Sequence, residues 1–205
     1  MKVLFTVRHG DYGGSSLSPL SEVGQKQMDN LNKVVTGLIA KTFGDDKVTR
    51  VCFSFSAYPR AIESILKLRM PDEDIVVSGL YMTDRKEIHN PQEIFDKVKS
   101  VADFYDAEVA IVVAHGDMPS VLTEAAYEFA TDKVSPILPS VGYAQGYAIN
   151  MSTGNVVPIG WNSLSEENHP QPAGTESSRP VFKGGPRRGN GPIKKGGPND
   201  LGSPL

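Results

Sequence analysis

Residues 2–10 read KVLFTVRHG, an apolar run that ends at Val7 and passes directly to Arg8, His9 and Gly10. The run lacks the alternation of a strand with one wet face, so it predicts a β-strand covered on both sides. EVAIVVA (108–114) has the same character and stops on His115 and Gly116. Two more strand-length runs, VTRVCFS (48–54) and DIVVSG (74–79), lie between them. GYAQGYAIN and NVVPIGW, joined around Ser152, Thr153 and Gly154, predict a closing hairpin.

Helical spacing fills the intervals. Val23, Met28, Leu31, Val34, Val35, Leu38 and Ile39 fall mostly three or four apart, and Ser18-Pro19 reads as the cap and first-turn proline of that helix. Ala61, Ile62, Ile65, Leu66 and Leu68 mark a second helix. Ile94, Phe95, Val98, Val101 and Ala102 mark a third, begun near Asn90-Pro91, and Val121, Leu122, Ala125, Ala126 and Phe129 a fourth. Alternating strand and helix predict a three-layer α/β/α sandwich with a mostly parallel central sheet. No internal repeat is visible.

Composition divides the 205-residue chain in two. Residues 1–162 read as one catalytic-size α/β domain, whereas 163–205 hold eight Gly and seven Pro in 43 residues. Such a segment buries too little apolar surface to offset chain entropy and is expected to be a disordered, Gly/Pro-rich basic tail. The whole chain carries −3; the tail has six basic residues against four acidic ones, hence +2, which leaves −5 for the body. A mildly acidic body argues against gripping nucleic acid through a whole face. The basic pairs of the tail leave open an electrostatic tether to an acidic partner beside a plain solvated spacer. Cys52 is the one cysteine, which excludes an internal disulfide and a cysteine-rich metal site, and it reads as a small core residue. No window approaches the roughly 18 apolar residues of a membrane span, and no signal peptide is evident. The expectation is a cytoplasmic protein.

In a parallel α/β sheet, ligands bind beyond the carboxyl ends of the strands. Arg8 and His9 follow the first run, SFSAYPR carries Arg60 after the second, and His115 follows AIVVA. Two arginines and two histidines thus converge on one mouth. Forked guanidiniums suit phosphoryl oxygens. A neutral imidazole can attack phosphorus and carry the group as a phosphoramidate. A second histidine, kept charged beside the anion, can donate to an oxygen as charge builds. Helix starts near Tyr58 and Met118 add backbone N–H groups to an anion-attracting field.

VRHG (7–10), LSPLSEVGQKQ (17–27), SFSAYPRAIES (54–64) and VVAHGD (112–117) together resemble the histidine phosphatase, or phosphoglycerate mutase-like, superfamily. The resemblance covers roughly residues 1–150, in order, and is nearest to the SixA-type phosphohistidine phosphatases. It implies that His9 is the phospho-accepting nucleophile and that Arg8, Arg60 and His115 surround the phosphate. Gly10, Ser56 and Gly116 are the implied phosphate-binding neighbours. Such sequences usually have Ser-Pro where this one has Ser54-Phe55, so Ser56 starts the better-matched Ser-x-x-x-Arg motif. The two histidines and scattered carboxylates lack metal-ligand clustering, so no metal is expected, and no cofactor.

Phosphoester-cleaving members supply an acid after the third strand to protonate an alkoxide. Here the segment is SGLYMTDRKEIHNPQE, with Met82 where a Glu is common and with Asp84 and Glu87 as candidate acids. A phosphohistidine leaves as neutral imidazole once protonated and demands less of an enzyme acid. The expected activity is therefore a metal-independent phosphatase acting through phosphohistidine on a phosphohistidine-bearing protein. A small phosphorylated substrate, handled by a phosphomonoesterase or mutase, is the second reading, and an inactive phospho-binding module the third. His89 and His169 read as loop and tail residues, Tyr12-Gly13-Gly14 as a turn that either borders the phosphate or does not, and Glu22 as a first-turn helix charge.

Overall fold

A computed structural model describes residues 1–15, 17–44, 46–69, 74–77 and 90–160, with 74–77 as backbone alone. The described residues belong to one compact unit, Met1–Asn168. Its elements are β1 (Val3–Arg8), α1 (Glu22–Phe43), β2 (Arg50–Ser54), α2 (Pro59–Leu68), β3 (Asp74–Val77), α3 (Pro91–Phe104), β4 (Val109–Ala114), α4 (Met118–Thr131), β5 (Gly146–Asn150) and β6 (Val156–Ile159).

These strands form one six-stranded sheet in the order β3-β2-β4-β1-β5-β6. The pairs β2–β3, β2–β4 and β1–β4 are parallel; β5 runs antiparallel to β1 and β6 antiparallel to β5. The mostly parallel sheet and the closing hairpin are as the sequence predicts. β4 lies between β1 and β2, so the carboxyl ends of three parallel strands stand side by side.

Every residue of β4 is buried, and β1 is buried up to Arg8. The two-residue side-chain period then feeds two separate cores. Phe5, Val7, Cys52, Ile111 and Val113 pack on one face with Met28, Leu31 and Val35 of α1 and Ile65 and Leu68 of α2. Leu4, Phe53, Ala110 and Val112 pack on the other with Phe95 and Val98 of α3 and Leu122 and Ala126 of α4. Three layers result. Thr6, the polar member of the first run, is fully buried; its hydroxyl lies 3.0 Å from the Pro119 carbonyl and 2.5 Å from the Thr123 hydroxyl. That contact ties the first turn of α4 to β1, beside the strand ends.

Two helix expectations are corrected. The cap of α1 is Ser21, not Ser18, and Pro19 precedes the helix. The Ser21 hydroxyl accepts the Gly24 N–H at 3.0 Å and donates to Asp11 Oδ2 at 2.8 Å, whereas the Leu20 N–H donates to Glu63 Oε2 at 2.8 Å and holds that stretch extended toward α2. Val34 and Phe129 fit the helical period, yet they are substantially exposed, because the apolar stripe on each helix is narrower than the period suggests. α3 begins as predicted, with Asn90 capping the Gln92 N–H and Pro91 in the first turn. Ser78, Gly79 and the tail 163–205 lie outside the described residues.

Candidate active site

β1 does not end its pairing at Arg8. The His9 N–H donates to the Ala114 carbonyl at 3.2 Å, and the His9 carbonyl accepts from Ala144 at 3.1 Å. The backbone of His9 is thus fixed by β4 on one side and by the segment before β5 on the other. Its Nδ1 lies 2.7 Å from the Gly10 carbonyl. A carbonyl only accepts, so Nδ1 carries the proton and Nε2 keeps its lone pair. Nε2 in turn accepts the Arg60 Nε–H at 3.2 Å. His9 is 2% exposed. Burial, aided by Arg60 and Arg8, pushes its pKa down to about 4, against the opposing Gly10 hydrogen bond and Asp11 charge. At neutral pH the imidazole is uncharged and can act as a nucleophile.

The loop after His9 is bolted to α1. A Cβ on Gly10 would stand 2.6 Å from the Gly24 carbonyl oxygen, and one on Gly24 would stand 2.0 Å from the Asp11 carbonyl oxygen. Only glycine at both positions permits this approach. The Asp11 N–H donates to Gln27 Oε1 at 2.9 Å, and the Gly10 N–H to Ser64 Oγ at 3.2 Å. Gly10, expected as a phosphate binder, therefore directs its N–H into α2 instead of the mouth.

β2 delivers the second set. The Ser54 hydroxyl donates to the Ser56 carbonyl, which turns the chain so that Ser56 Oγ lies 2.5 Å from His115 Nε2. Tyr58 precedes α2, Pro59 opens its first turn, and Arg60 follows inside the site at 6% exposure. The Arg60 guanidinium carbon stands 4.3 Å from the Tyr12 ring centre and 4.7 Å from that of Tyr58. Arg8 is held similarly: Nη1 donates to the Val141 carbonyl at 3.1 Å, and its guanidinium carbon lies 4.3 Å from the Tyr143 ring centre. Its buried Nε has no hydrogen-bond partner among the described residues, which leaves a donor for an anion.

β4 brings His115 to 4.8 Å from His9, centroid to centroid. Gly116 behind it takes φ 52, the left-handed turn into α4, and is exposed. The charge expected on His115 belongs to the state with an anion beside it. Burial, followed by the charges of His9, Arg60 and Arg8, pushes its pKa down to about 3. With the protein's own charges alone it is neutral at pH 7. A phosphoryl dianion would oppose the two arginines and favour its protonation.

Arg8, His9, Arg60, His115 and Ser56 are thus brought together from three strand ends. Asp84 and Glu87 lie outside the described residues, as do Met82 and His89. Tyr12, read as part of a turn that either borders the phosphate or does not, has its ring centre 5.3 Å from that of His9. From sequence Tyr58 reads only as a helix start, and neither Ser64 nor Tyr143 carries a site signal. Tyr143 stands 5.6 Å from His9 across more than 130 positions, and it lies in the part of GYAQGYAIN read as strand that falls before β5, which begins only at Gly146. A separate cavity of about 390 Å³, lined by Pro19, Leu20, Gln25, Glu63, Leu66 and Lys67, contains none of these groups. No described helix is long and apolar enough to cross a membrane.

No protein-family model matches the sequence, and neither does any curated protein. Solved structures do. One, described as a candidate phosphohistidine phosphatase SixA from Nakamurella multipartitia, is 14% identical over 77% of this chain and 92% of its own, with a TM-score of 0.53. The protein histidine phosphatase SixA complexed with tungstate is 15% identical over 76% and 93%, at 0.47. A mycobacterial glucosyl-3-phosphoglycerate phosphatase is 14% identical over 77% and 96%, at 0.49. The first of these likenesses shows a shared fold, the phosphoglycerate mutase-like α/β sandwich.

Proposed function

We propose that this chain is a member of the histidine phosphatase superfamily that moves a phosphoryl group onto His9 and then onto water. One observation carries the reading: the Gly10 carbonyl fixes the proton on Nδ1 and leaves the Nε2 lone pair facing Arg60. Arg60 is a phosphate ligand in waiting, and an incoming phosphoryl oxygen replaces Nε2 as the acceptor of its N–H.

The first step forms a bond from Nε2 of His9 to phosphorus and breaks the bond from phosphorus to the leaving atom, which departs with the electron pair. Arg8, Arg60 and protonated His115 stabilise the charge on the non-transferring oxygens, each on the order of 3 kcal/mol by analogy with single oxyanion donors. In the second step water attacks phosphorus, the P–Nε2 bond breaks, and inorganic phosphate leaves with His9 neutral again. Positive charge from these side chains does the work that a metal does in other phosphatases, so activity should persist in a chelator. Turnover without the chelator only would overturn that part of the reading.

A phosphohistidine-bearing protein is the substrate this reading favours. Its support is the sequence alone, Met82 standing where an ester-cleaving relative has Glu. Turnover of a phosphohistidine peptide and of an alkyl phosphate, measured side by side, tests it. Faster cleavage of the alkyl ester would favour the phosphomonoesterase reading, with Asp84 or Glu87 as the acid. Cleavage of neither would favour a silent phospho-binding module.

A further inference from the structure

We infer that Tyr12, Tyr58 and Tyr143 form an aromatic collar that selects phosphoryl groups borne on a flat ring, an imidazole or a phenol, over those borne on an aliphatic chain. The inference rests on the phosphoryl-pocket reading above and specifies the substrate class of that pocket.

Three of the chain's seven tyrosines stand here, and they come from three unconnected loops: after β1, after β2 and before β5. Two of the rings meet directly, and Tyr58 is linked to them through His115 and His9. Tyr12 and Tyr143 meet at 5.9 Å and 89°, an edge-to-face contact. Both flank His9, and Tyr58 flanks His115 at 5.6 Å and 78°. Because His9 is 2% exposed, a group attached to the phosphorus that Nε2 attacks must lie against its covering neighbours, and Tyr12 and Tyr143 are two of them.

Each tyrosine also backs a cation. Arg60 lies between Tyr12 and Tyr58, and Arg8 lies on Tyr143. The rings that back the two guanidiniums thus include both tyrosines that flank His9. Aromatic pairs gain from offset or edge-to-face contact beyond the area they bury, and an alkyl chain does not. Leaving-group chemistry points the same way. Asp11, the carboxylate adjoining the nucleophile, accepts from the Ser21 hydroxyl at 2.8 Å and is committed to the loop. A phenol, with pKa about 10, or an imidazole departs with less help from an acid than an alcohol does.

The test uses the full-length protein and two non-hydrolysable phosphonates of similar size and equal charge, benzylphosphonate and cyclohexylmethylphosphonate. Calorimetry should give about fivefold tighter binding of the flat compound, the scale of one aromatic contact. Tyr12→Leu and Tyr143→Leu should each bring that ratio toward one. The ratio is the readout, because loss of a ring beside an arginine weakens both ligands. Equal binding to the wild type would overturn the collar and leave the phosphoryl pocket intact, as would a ratio unchanged in both variants. Binding of neither phosphonate would overturn the pocket and the collar together. Phosphohistidine, phosphotyrosine and phosphoserine peptides of one sequence then identify the ring. Turnover of either of the first two supports the collar and names imidazole or phenol, and preferred turnover of the third overturns it.

Discussion

The carboxyl ends of β1 and β4 carry the same dipeptide, His-Gly, and the structure builds them in opposite ways. His9 is buried with a named partner on each ring nitrogen, and Gly10 is pressed against Gly24. His115 is half-buried with Ser56 on Nε2, and its Nδ1 has no hydrogen-bond partner among the described residues. Gly116 is exposed with open space around it. One histidine is locked in a single tautomer, which suits an attacking atom. The other is held at one nitrogen, which suits a group whose protonation changes when an anion arrives.

The largest expected difference between the two ends is in turnover. His9→Ala removes the attacking atom and should lower kcat by about 10⁴-fold or more. His115→Ala removes one donor and should lower it by about 10²- to 10³-fold while phosphate still transfers to His9. Equal losses in steady-state assays would erase the distinction between attacker and donor.

The glycines come next. Gly10→Ala forces a Cβ toward the Gly24 carbonyl and should cost about 3 kcal/mol in urea unfolding. Gly116→Ala meets no neighbour and bears only the left-handed φ, about 1 kcal/mol. A Gly116 variant as damaging as the Gly10 variant would mean that the two turns are built alike.

Acid should reveal the locked histidine. The folded pKa of His9, about 4, lies below its ordinary value of 6.5, so the unfolded chain takes up the proton first. Stability from His9 is present above pH 6.5 and is lost as pH falls from there toward 4, about 2 kcal/mol by pH 5. A His9→Asn variant should lose that much less between pH 7 and 5 than the wild type. Identical losses would show that His9 is not kept neutral by the fold. Smallest is Ser56→Ala, which removes the one hydrogen bond on the His115 ring among the described residues and should lower kcat/KM about tenfold, with His9 chemistry intact.

Much of this contrast is visible in the chain itself. Unbroken apolar runs ending on Arg8-His9 and on His115 announce two buried parallel strands, and proximity of their ends follows from the topology rule for such sheets. SFSAYPRA likewise reveals Ser56 and Arg60, because strand, turn and helix start fall within eight residues. The collar is less legible. Tyr143 reaches His9 through a segment without regular structure, where Ala144 takes φ 52, and no periodicity encodes that contact. The displaced cap of α1 has a similar cause. Ser18-Pro19 is the better local signal, but Asp11, ten residues before Ser21, accepts its hydroxyl, and Ser21 caps the helix instead.

The central claim is that His9 accepts phosphorus and His115 does not. Rapid quenching of the protein with a phosphoryl-labelled substrate tests it most directly, with peptide mapping of the label. The account predicts base-stable, acid-labile label on His9 in the wild type and in His115→Ala, and none in His9→Ala. Label on His115, or a labelled His9→Ala protein, would contradict it.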